Sequence, residues 1–421
     1  MTNKKGYRSV KRSTDWILVS HAGVLPRPQD LRDMMAPGRE DEFHKRLPSA
    51  VKEIVEQQVK SGFDVVNDGE FGKVGGFSGY PRQRLSGLEL RELKPGEGPK
   101  PHDVQGRDRR DFPEFGKLGF PARAGGAPSL GFAQGSGGVV GGGAIAGSGG
   151  VMAGSTEGMR RMVFCVGPIK YIGQDQYKED IANLKAALQG VSNVEGYLPA
   201  VAPGTMEHWM YNEYYKTDEE FLFAIADAMA EEYKEITDAG FILQIDDPDL
   251  PDGWQMYPEM TVPEYRKYAD IRVEALNHAL KDVPRELIRF HTCWGSQHGP
   301  HMDDIALQDF VDIMFKIKAE CYSVEAANPQ HDADFHVFET VKLPDGASYM
   351  PGVVSHVSNT IEHPQVVADR LIRYANLMGK EQIIAGTDCG MGSRVGHPEV
   401  CWAKFNAMVE GSKIATKTLW G

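Results

Sequence analysis

The chain has 421 residues, of which 41% are hydrophobic and 25% are charged, a balance typical of a folded globular protein. Its formal net charge of −13 disfavours binding to nucleic acid phosphates or to anionic lipids. No apolar run approaches the ~18 residues of a membrane-spanning helix, and the basic N-terminal segment lacks the apolar region of a signal peptide. Five cysteines, an odd number in a long chain, predict reduced thiols and a cytoplasmic location.

Short apolar runs alternate with longer amphipathic stretches along the chain. The strand candidates are 17–23, 63–68, 161–167, 194–202, 241–246, 287–293, 321–325, 349–354 and 382–387. The helix candidates are 40–61, 217–239, 263–280, 304–319 and 361–378. Thr217 is a predicted N-cap with Glu220 three residues on, Gly240 follows the end of that helix, and Pro263 lies in the first turn of the next.

This alternation predicts parallel βαβ units and an α/β fold. We expect a (β/α)8 TIM barrel that forms one domain over residues 1–421. Because nine strand candidates exceed the eight of such a barrel, 161–167 is assigned to an excursion between barrel strands two and three. A Rossmann sheet is the alternative, but no G-x-G-x-x-G follows an early strand and opens a helix.

Residues 72–160 have a different composition and are predicted to be an insertion into the barrel. From Gly116 to Gly158 there are 16 glycines in 43 residues, a density that resists packing into a helix or a strand. One interpretation is an exposed flexible loop, and the other is a mobile lid over the barrel mouth. A phosphate-binding loop is disfavoured because G-x-x-x-x-G-K-[ST] is absent.

The strongest signal for a site lies at predicted strand ends. His291 and Cys293 form H-x-C at the end of one strand candidate, where alternation points both side chains to the same face. Glu325 ends the next strand candidate, and Cys389 follows the last one. In a barrel, the carboxyl ends of the strands hold the active site. One imidazole, two thiolates and a carboxylate suit Zn²⁺; the alternative is a half-buried strand with an ordinary histidine and an inert cysteine.

Other polar side chains are predicted at the same level of the barrel: Asp68, Glu70, Asp246, Asp247 and His356. Carboxylates there could bind an ammonium group or assist proton transfer. The remaining cysteines are interpreted as structural, and Cys321 is expected at the opposite end of the barrel because it begins its strand. His298 and His301 are interpreted as loop histidines.

The segments NDGEFGK, AVAPGT, LQIDDPDL, HTCWG, YSVEAANPQ, MPGVV and GTDCGMGSR resemble the cobalamin-independent methionine synthase family, specifically its catalytic C-terminal barrel. The resemblance spans most of residues 17–415 and is closest to single-barrel members, to which epoxyalkane:coenzyme M transferases are similar. It implies His291, Cys293, Glu325 and Cys389 as the zinc ligands.

The same resemblance implies roles for the other polar residues. Glu70 and Asp246 occupy positions that hold the amino acid group of homocysteine, and His356 lies near the family's proton-donating histidine. Asp68, which follows the same strand candidate as Glu70, is expected to bind substrate with them. Val24 stands where the family has a serine that helps to hold homocysteine.

We therefore expect a zinc-dependent transferase that moves a methyl or alkyl group onto a small thiol, with His356 and Asp246 as the catalytic residues. Two alternative activities remain: methionine synthesis from methylated folate and homocysteine, and a thiol transferase that opens epoxides or demethylates ethers. A zinc-binding barrel without catalysis is the non-enzymatic alternative. The predicted partners are the thiol and the alkyl donor, with no nucleic acid and no membrane, and the sequence leaves homo-oligomerisation open.

Overall fold

Eleven strands and thirteen α-helices are present in the part of the chain that the computed structural model describes, residues 10–94, 105–117, 161–295, 299–392, 394–395 and 397–421. The strands are β1 (Leu18–Val19), β2 (Val65–Val66), β3 (Leu88–Glu92), β4 (Arg161–Cys165), β5 (Glu195–Val201), β6 (Met210–Asn212), β7 (Ile242–Asp246), β8 (Ile288–Thr292), β9 (Cys321–Val324), β10 (Ser348–Val354) and β11 (Ile384–Thr387).

The helices lie mostly between these strands. They are α1 (Gln29–Asp33), α2 (Glu40–Ser61), α3 (Gly76–Arg84), α4 (Gly106–Asp111), α5 (Pro113–Lys117), α6 (Gln174–Ala187), α7 (Pro203–His208), α8 (Asp218–Asp238), α9 (Asp249–Met256), α10 (Val262–Ala279), α11 (Val311–Met314), α12 (Pro364–Met378) and α13 (Pro398–Trp420). Among the helices described, none is long and apolar enough to cross a lipid bilayer.

Eight parallel strands form the main sheet, in the order β1-β11-β10-β9-β8-β7-β5-β2. The two ends of this order meet at Asp64, whose N–H donates to the Val19 carbonyl (2.9 Å) and whose carboxylate accepts from the Val19 N–H (2.8 Å). The sheet is therefore a nearly closed barrel, and the predicted (β/α)8 architecture is confirmed.

The segment predicted to lie outside the barrel does so. In the structure, β4 pairs antiparallel with β3 and parallel with β6 in a separate three-stranded sheet. Along the chain, β3 and β4 lie between the second and third barrel strands, β2 and β5, and β6 follows β5. Residues 95–104 and 118–160 lie outside the described residues, so the glycine-rich lid, and with it the proposed division into a barrel and a 72–160 insertion, stays a prediction.

Three helix ends have identifiable structural causes, the first of which is predicted by the sequence. The Thr217 hydroxyl accepts from the Glu220 N–H (3.1 Å) at the start of α8, as expected for an N-cap. Thr261 and Glu264 form a capping box at the start of α10. The α2 helix ends at Gly62, whose φ of +94° is the left-handed conformation that glycine adopts without strain.

The predicted helix over 304–319 is wrong. Only a short 3₁₀ turn (Leu307–Asp309) and the single turn α11 form there. Ala306 has extended backbone angles, and the indole N–H of Trp294 binds the Ile305 carbonyl (2.8 Å), which a continuous helix would need for itself. The apolar residues of this stretch therefore pack within a loop and do not form one face of a helix.

Candidate metal centre

The carboxyl ends of the barrel strands bring the predicted site residues to one level. Asp246 of β7 lies in register with His291 of β8, which lies in register with Ser323 of β9. Cys293 and Glu325 directly follow the ends of their strands, and Cys389 follows β11. Because these strands are parallel neighbours in the sheet, residues that are far apart in the sequence meet at one rim of the barrel.

Three of the four predicted ligands lie together. One donor atom each of His291, Cys293 and Cys389 lies within 4.8 Å of the other two. His291 Nδ1 is hydrogen-bonded to the Ser323 hydroxyl (3.0 Å), and His291 Nε2 is buried with no oxygen or nitrogen partner among the described residues. A hydrogen bond to one ring nitrogen orients the imidazole and leaves the other as the donor, as is usual for a metal-binding histidine.

The two sulfur atoms are electronically unlike. The Cys293 thiol donates a hydrogen bond to Cys389, and this bond, helped by the nearby His291 and opposed by burial, holds the pKa of Cys389 well below its usual value. The same bond, together with burial, raises the pKa of Cys293 well above its usual value. The thiolate is the form of cysteine that binds a metal, and the lowered pKa of Cys389 favours that form at this sulfur.

Glu325, the fourth predicted ligand, lies beside this set. It is 1% exposed, and its Oε2 accepts the Trp294 backbone N–H (2.8 Å), next to Cys293 in the chain. Its Oε1 is buried and has no hydrogen-bond partner in the described part of the chain. Glu325 also lies within 4.8 Å of His356 and Asp388, taking one donor atom from each. A buried carboxylate oxygen left unpaired is costly unless a cation or proton meets it.

The donors present fit a zinc-class ion. One nitrogen, two sulfurs and a carboxylate oxygen are the mixture that zinc accepts, and soft sulfur disfavours Mg²⁺ and Ca²⁺. Burial raises the pKa of Asp246 to about 7 and, with Glu325 nearby, the pKa of Asp388 to about 8. Burial, the main cause of both shifts, disfavours the charged carboxylates, and a divalent ion bound at this rim would favour them.

Comparison with known proteins places this rim in a family. Residues 159–413, more than half of the chain, match the family described as "Cobalamin-independent synthase, Catalytic domain". The chain belongs to this family. The predicted resemblance is thereby confirmed, and all four predicted ligands lie inside the matched residues.

Two groups of proteins show how far the similarity reaches. A methionine synthase of Saccharolobus islandicus is 27% identical over 222 residues, and one of Thermococcus kodakarensis is 26% identical over 223 residues. The matched part is 52% of this chain and 57% of the first relative, and 53% and 58% for the second. The chain thus spans little more than half of the length of these relatives.

Solved structures extend the similarity to nearly the whole chain at lower identity. The B12-independent methionine synthase from Shewanella sp. W3-18-1 has a TM-score of 0.66 and 18% identity over 96% of this chain and 99% of that one. A putative B12-independent methionine synthase from Listeria monocytogenes has a TM-score of 0.58 and 16% identity, with the same coverage. At these identities the similarity shows the barrel fold alone.

The β2 side of the rim holds the predicted substrate-binding residues of this family member. Glu70 has the positive φ of 58°, and its carboxylate is paired with Lys73 (3.3 Å). Asp68 accepts the Glu70 N–H (2.9 Å), and Asp246 accepts the side-chain amide of Gln244 (2.7 Å). All are buried or nearly so, which makes each charge matter more than it would in water.

Three residues of this rim are not predicted by the sequence. Asp388 adjoins Cys389 and is fixed by the backbone N–H groups of Ala326 (2.9 Å) and Ala327 (2.7 Å). Ser323 orients His291, and Lys73 pairs with Glu70. The strand periodicity could have indicated Ser323, which lies two residues before Glu325; the contacts of Asp388 and Lys73 arise only from the tertiary fold.

Proposed function

We propose that this protein transfers a methyl or alkyl group to a small thiol, with zinc held by His291, Cys293, Cys389 and Glu325. The convergence of one imidazole and two cysteine sulfurs within 4.8 Å at the carboxyl rim of a barrel carries this proposal. Zinc, when bound, lowers the pKa of a coordinated thiol so that a nucleophilic thiolate is present at neutral pH. The five cysteines are free, which suits a reducing compartment such as the cytoplasm.

The chain's own residues prepare the reaction. Ser323 holds the His291 ring by Nδ1, and the Trp294 N–H holds Glu325 by Oε2. These fixed bonds keep the donor atoms in place, so little reorganisation accompanies substrate binding. His356, fully buried beside Glu325 and Asp388, and Asp246, beside His291 in register, are our candidates for delivering a proton to the leaving group.

Charge favours an acceptor thiol that carries an ammonium group. Glu70, Asp68 and Asp246 bring three carboxylates to the β2 side of the rim. Two cations act on them: Lys73, which pairs with Glu70, and the buried Arg27, whose charge acts on Glu70 and Asp68. An ammonium group is attracted by this excess of carboxylates, and a thiol carrying only a sulfonate is repelled. Homocysteine fits this description, so methionine synthesis is the nearest specific alternative; the names of the curated relatives favour it too.

The deciding experiment measures sulfur ligation in zinc-loaded protein by X-ray absorption. We expect about one additional sulfur neighbour when homocysteine or a longer amino-thiol is added, and a weaker response to 2-mercaptoethanesulfonate. Cys165→Ser is the matched control, because this cysteine lies in β4 and its sulfur binds the Gly167 carbonyl outside the barrel. Unchanged ligation with every thiol would replace the proposal by a zinc-binding barrel without catalysis.

The same samples identify the donor class. Each thiol that ligates zinc is incubated with methylated folate, an epoxide and a methyl ether, and the products are separated by mass spectrometry. Methionine from methylated folate would establish the methionine synthase alternative. An alkylated thiol from the epoxide or the ether would establish the other alternative, a thiol transferase of broader type.

A further inference from the structure

A second group of metal-binding side chains lies in the loops that follow β8 and β9. One donor atom each of His301, Asp304 and His331 lies within 4.8 Å of the other two. His301 Nδ1 is 2.7 Å from Asp304 Oδ2, and His331 Nε2 is 3.1 Å from the same oxygen. Two imidazoles from separate loops thus converge on a single carboxylate oxygen, and this cluster contains no sulfur.

The residues around this cluster hold its donors in position. His331 Nδ1 is bonded to Asp334 Oδ2 (2.9 Å), which leaves Nε2 as the inward donor. The other oxygen of Asp304 accepts from the side chain of Gln255 (3.1 Å). A carboxylate behind a histidine and a hydrogen bond behind a ligating carboxylate are the outer-shell features that orient donors in metal sites.

The cluster is closed off from water. The side chains of His301, Asp304 and His331 are 6%, 1% and 3% exposed. The Trp294 ring stacks on His331 with the ring centroids 3.8 Å apart, and Asp108 of α4 accepts the backbone N–H groups of His301 (3.0 Å) and Asp303 (3.1 Å). His301 was interpreted from the sequence as a loop histidine; it does lie in a loop, but a buried one.

We propose that His301, Asp304 and His331 form a second, sulfur-free site for a divalent first-row transition-metal ion. Two imidazole nitrogens and a carboxylate oxygen suit such ions and disfavour Ca²⁺ and Mg²⁺, which prefer all-oxygen surroundings. The ion would tie the two loops together beneath α4 and behind Trp294, whose N–H holds Glu325. It would therefore support the position of a predicted zinc ligand without contacting substrate.

A proton is the competitor for this site. Burial lowers the pKa of His331, but hydrogen bonds to Asp304 and Asp334 outweigh it and raise the pKa to about 10. The cluster is thus arranged to hold positive charge, and a metal ion would release protons as it bound. The alternative to the proposal is a protonated histidine that only bridges the two carboxylates.

The test uses the full chain, without an affinity tag, carrying Cys293→Ser and Cys389→Ser to remove the sulfur cluster. After loading with Zn²⁺ and removal of loosely bound metal, elemental analysis should give about one ion per chain, against about two in the unmodified protein. Adding His331→Gln should remove that remaining ion. His336→Gln is the matched control. His336 pairs with Glu339 three residues on, as His331 pairs with Asp334, but its side chain is 61% exposed.

Cobalt provides a second readout that does not require the His331 variant to fold. In the double cysteine variant, bound Co²⁺ should show weak visible bands and no thiolate charge-transfer absorption. Absence of bound metal in that variant, or an ion that survives His331→Gln in folded protein, would overturn the second site. Neither result touches the proposed thiol transfer, because the sulfur cluster is absent from these samples.

Discussion

Two buried histidines at strand ends, four strands apart in the sheet order, have opposite surroundings. His21 follows β1, and its ring is bonded to Gln58 (2.9 Å) and to the Tyr197 hydroxyl (3.1 Å), with Phe63 edge-on at 5.5 Å. His291 is the last residue but one of β8, and only its Nδ1 has a nitrogen or oxygen partner among the described residues. Both histidines are buried near the carboxyl end of a barrel strand, but their hydrogen-bond partners differ.

The partners decide which charge each histidine holds. Burial is the main reason that the pKa of His21 falls to about 3, so this ring is neutral and serves packing. Burial also lowers the pKa of His291, but the Cys389 sulfur more than offsets it and the pKa is raised. A strand-end histidine in a barrel is therefore not by itself a functional signal; a donor atom that faces sulfur and lacks another partner is.

The largest difference should appear when a sulfur is removed from the His291 side. We expect Cys389→Ser to abolish zinc binding at the sulfur cluster, and with it thiol alkylation, a loss beyond the ~10–100-fold typical of outer-shell partners. Zinc content is measured by elemental analysis and activity by product formation. Cys165→Ser should leave both unchanged because Cys165 lies in the separate sheet. Zinc bound at the second site is removed from this measurement by making the Cys389→Ser change in the His331→Gln variant. Unchanged zinc content in that protein would rule out the proposed ligand set.

The His21 side should reveal itself in acid stability instead. Its folded pKa of about 3 lies below the ordinary 6.5, so the unfolded chain takes up a proton that the fold refuses. The contribution of His21 to the free energy of unfolding is therefore fully present above pH ~6.5 and is lost as the pH falls towards 3. The loss amounts to about 2 kcal/mol at pH ~5. We expect His21→Gln to lose this part of the pH dependence, measured by urea unfolding at pH ~7.5 and ~5.

Metal must not contribute to that measurement, because zinc affinity also falls in acid. The comparison is therefore made in chelator-treated Cys389→Ser protein. His44→Gln is the control, since His44 is exposed and paired with Glu179 at the surface. An equal loss of stability between the two pH values for His21→Gln and its parent would contradict the assignment of a neutral, acid-sensitive His21.

The sequence predicts the barrel, and the residues that meet at the carboxyl ends of its strands, better than it predicts the loops that connect strands and helices. Strand periodicity and the H-x-C, Glu and Cys order suffice for the rim because parallel strands impose a common level on their ends. Apolar periodicity predicts the wrong structure for 304–319, because the bond from the Trp294 indole to the Ile305 carbonyl and the extended backbone at Ala306 prevent a continuous helix. The bond between the Asp388 carboxylate and the Ala326 N–H joins residues more than 60 positions apart in the chain, so the sequence pattern does not predict it.

The Gln58–His21 pair shows the same limit on the site prediction. Apolar periodicity does not distinguish His21 from His291, since both accompany short apolar runs that become barrel strands. The distinction comes from Gln58 of α2 and Tyr197 of β5, which contact His21 only in the folded barrel. Motif order separates the two histidines, whereas periodicity does not.

A smaller effect should follow from loosening the orientation of His291. Ser323→Ala removes the hydrogen bond to Nδ1, so the ring loses the contact that fixes its tautomer. We expect zinc affinity to fall by ~10–100-fold, measured by competition with a chromophoric chelator. Ser348→Ala is the matched control, because its hydroxyl binds the Glu320 carbonyl at the start of β10. Equal affinity in the Ser323 variant and the unmodified protein would show that the fold alone orients the ring.

The smallest expected effect concerns Val24, on the β1 side of the rim. Val24 lies after β1, three residues beyond His21, and its side chain packs against Gly390, next to Cys389. We expect Val24→Ser to restore a hydroxyl that can bind the amino-acid part of homocysteine. One added hydrogen bond contributes about 0.5–1.5 kcal/mol, or roughly a two- to tenfold gain in affinity for homocysteine over 2-mercaptoethanesulfonate.

The measurement is the ratio of the dissociation constants of these two thiols in zinc-loaded protein. Val24→Ala separates the hydroxyl from the loss of bulk, because it enlarges the same space without adding a donor. If Val24→Ser raises the preference for homocysteine and Val24→Ala does not, the β1 side of the rim contacts the substrate, whereas the β8 side contacts the metal. Equal ratios in both variants would instead confine substrate discrimination to the carboxylates of the β2 side and leave the β1 side, with His21, to packing alone.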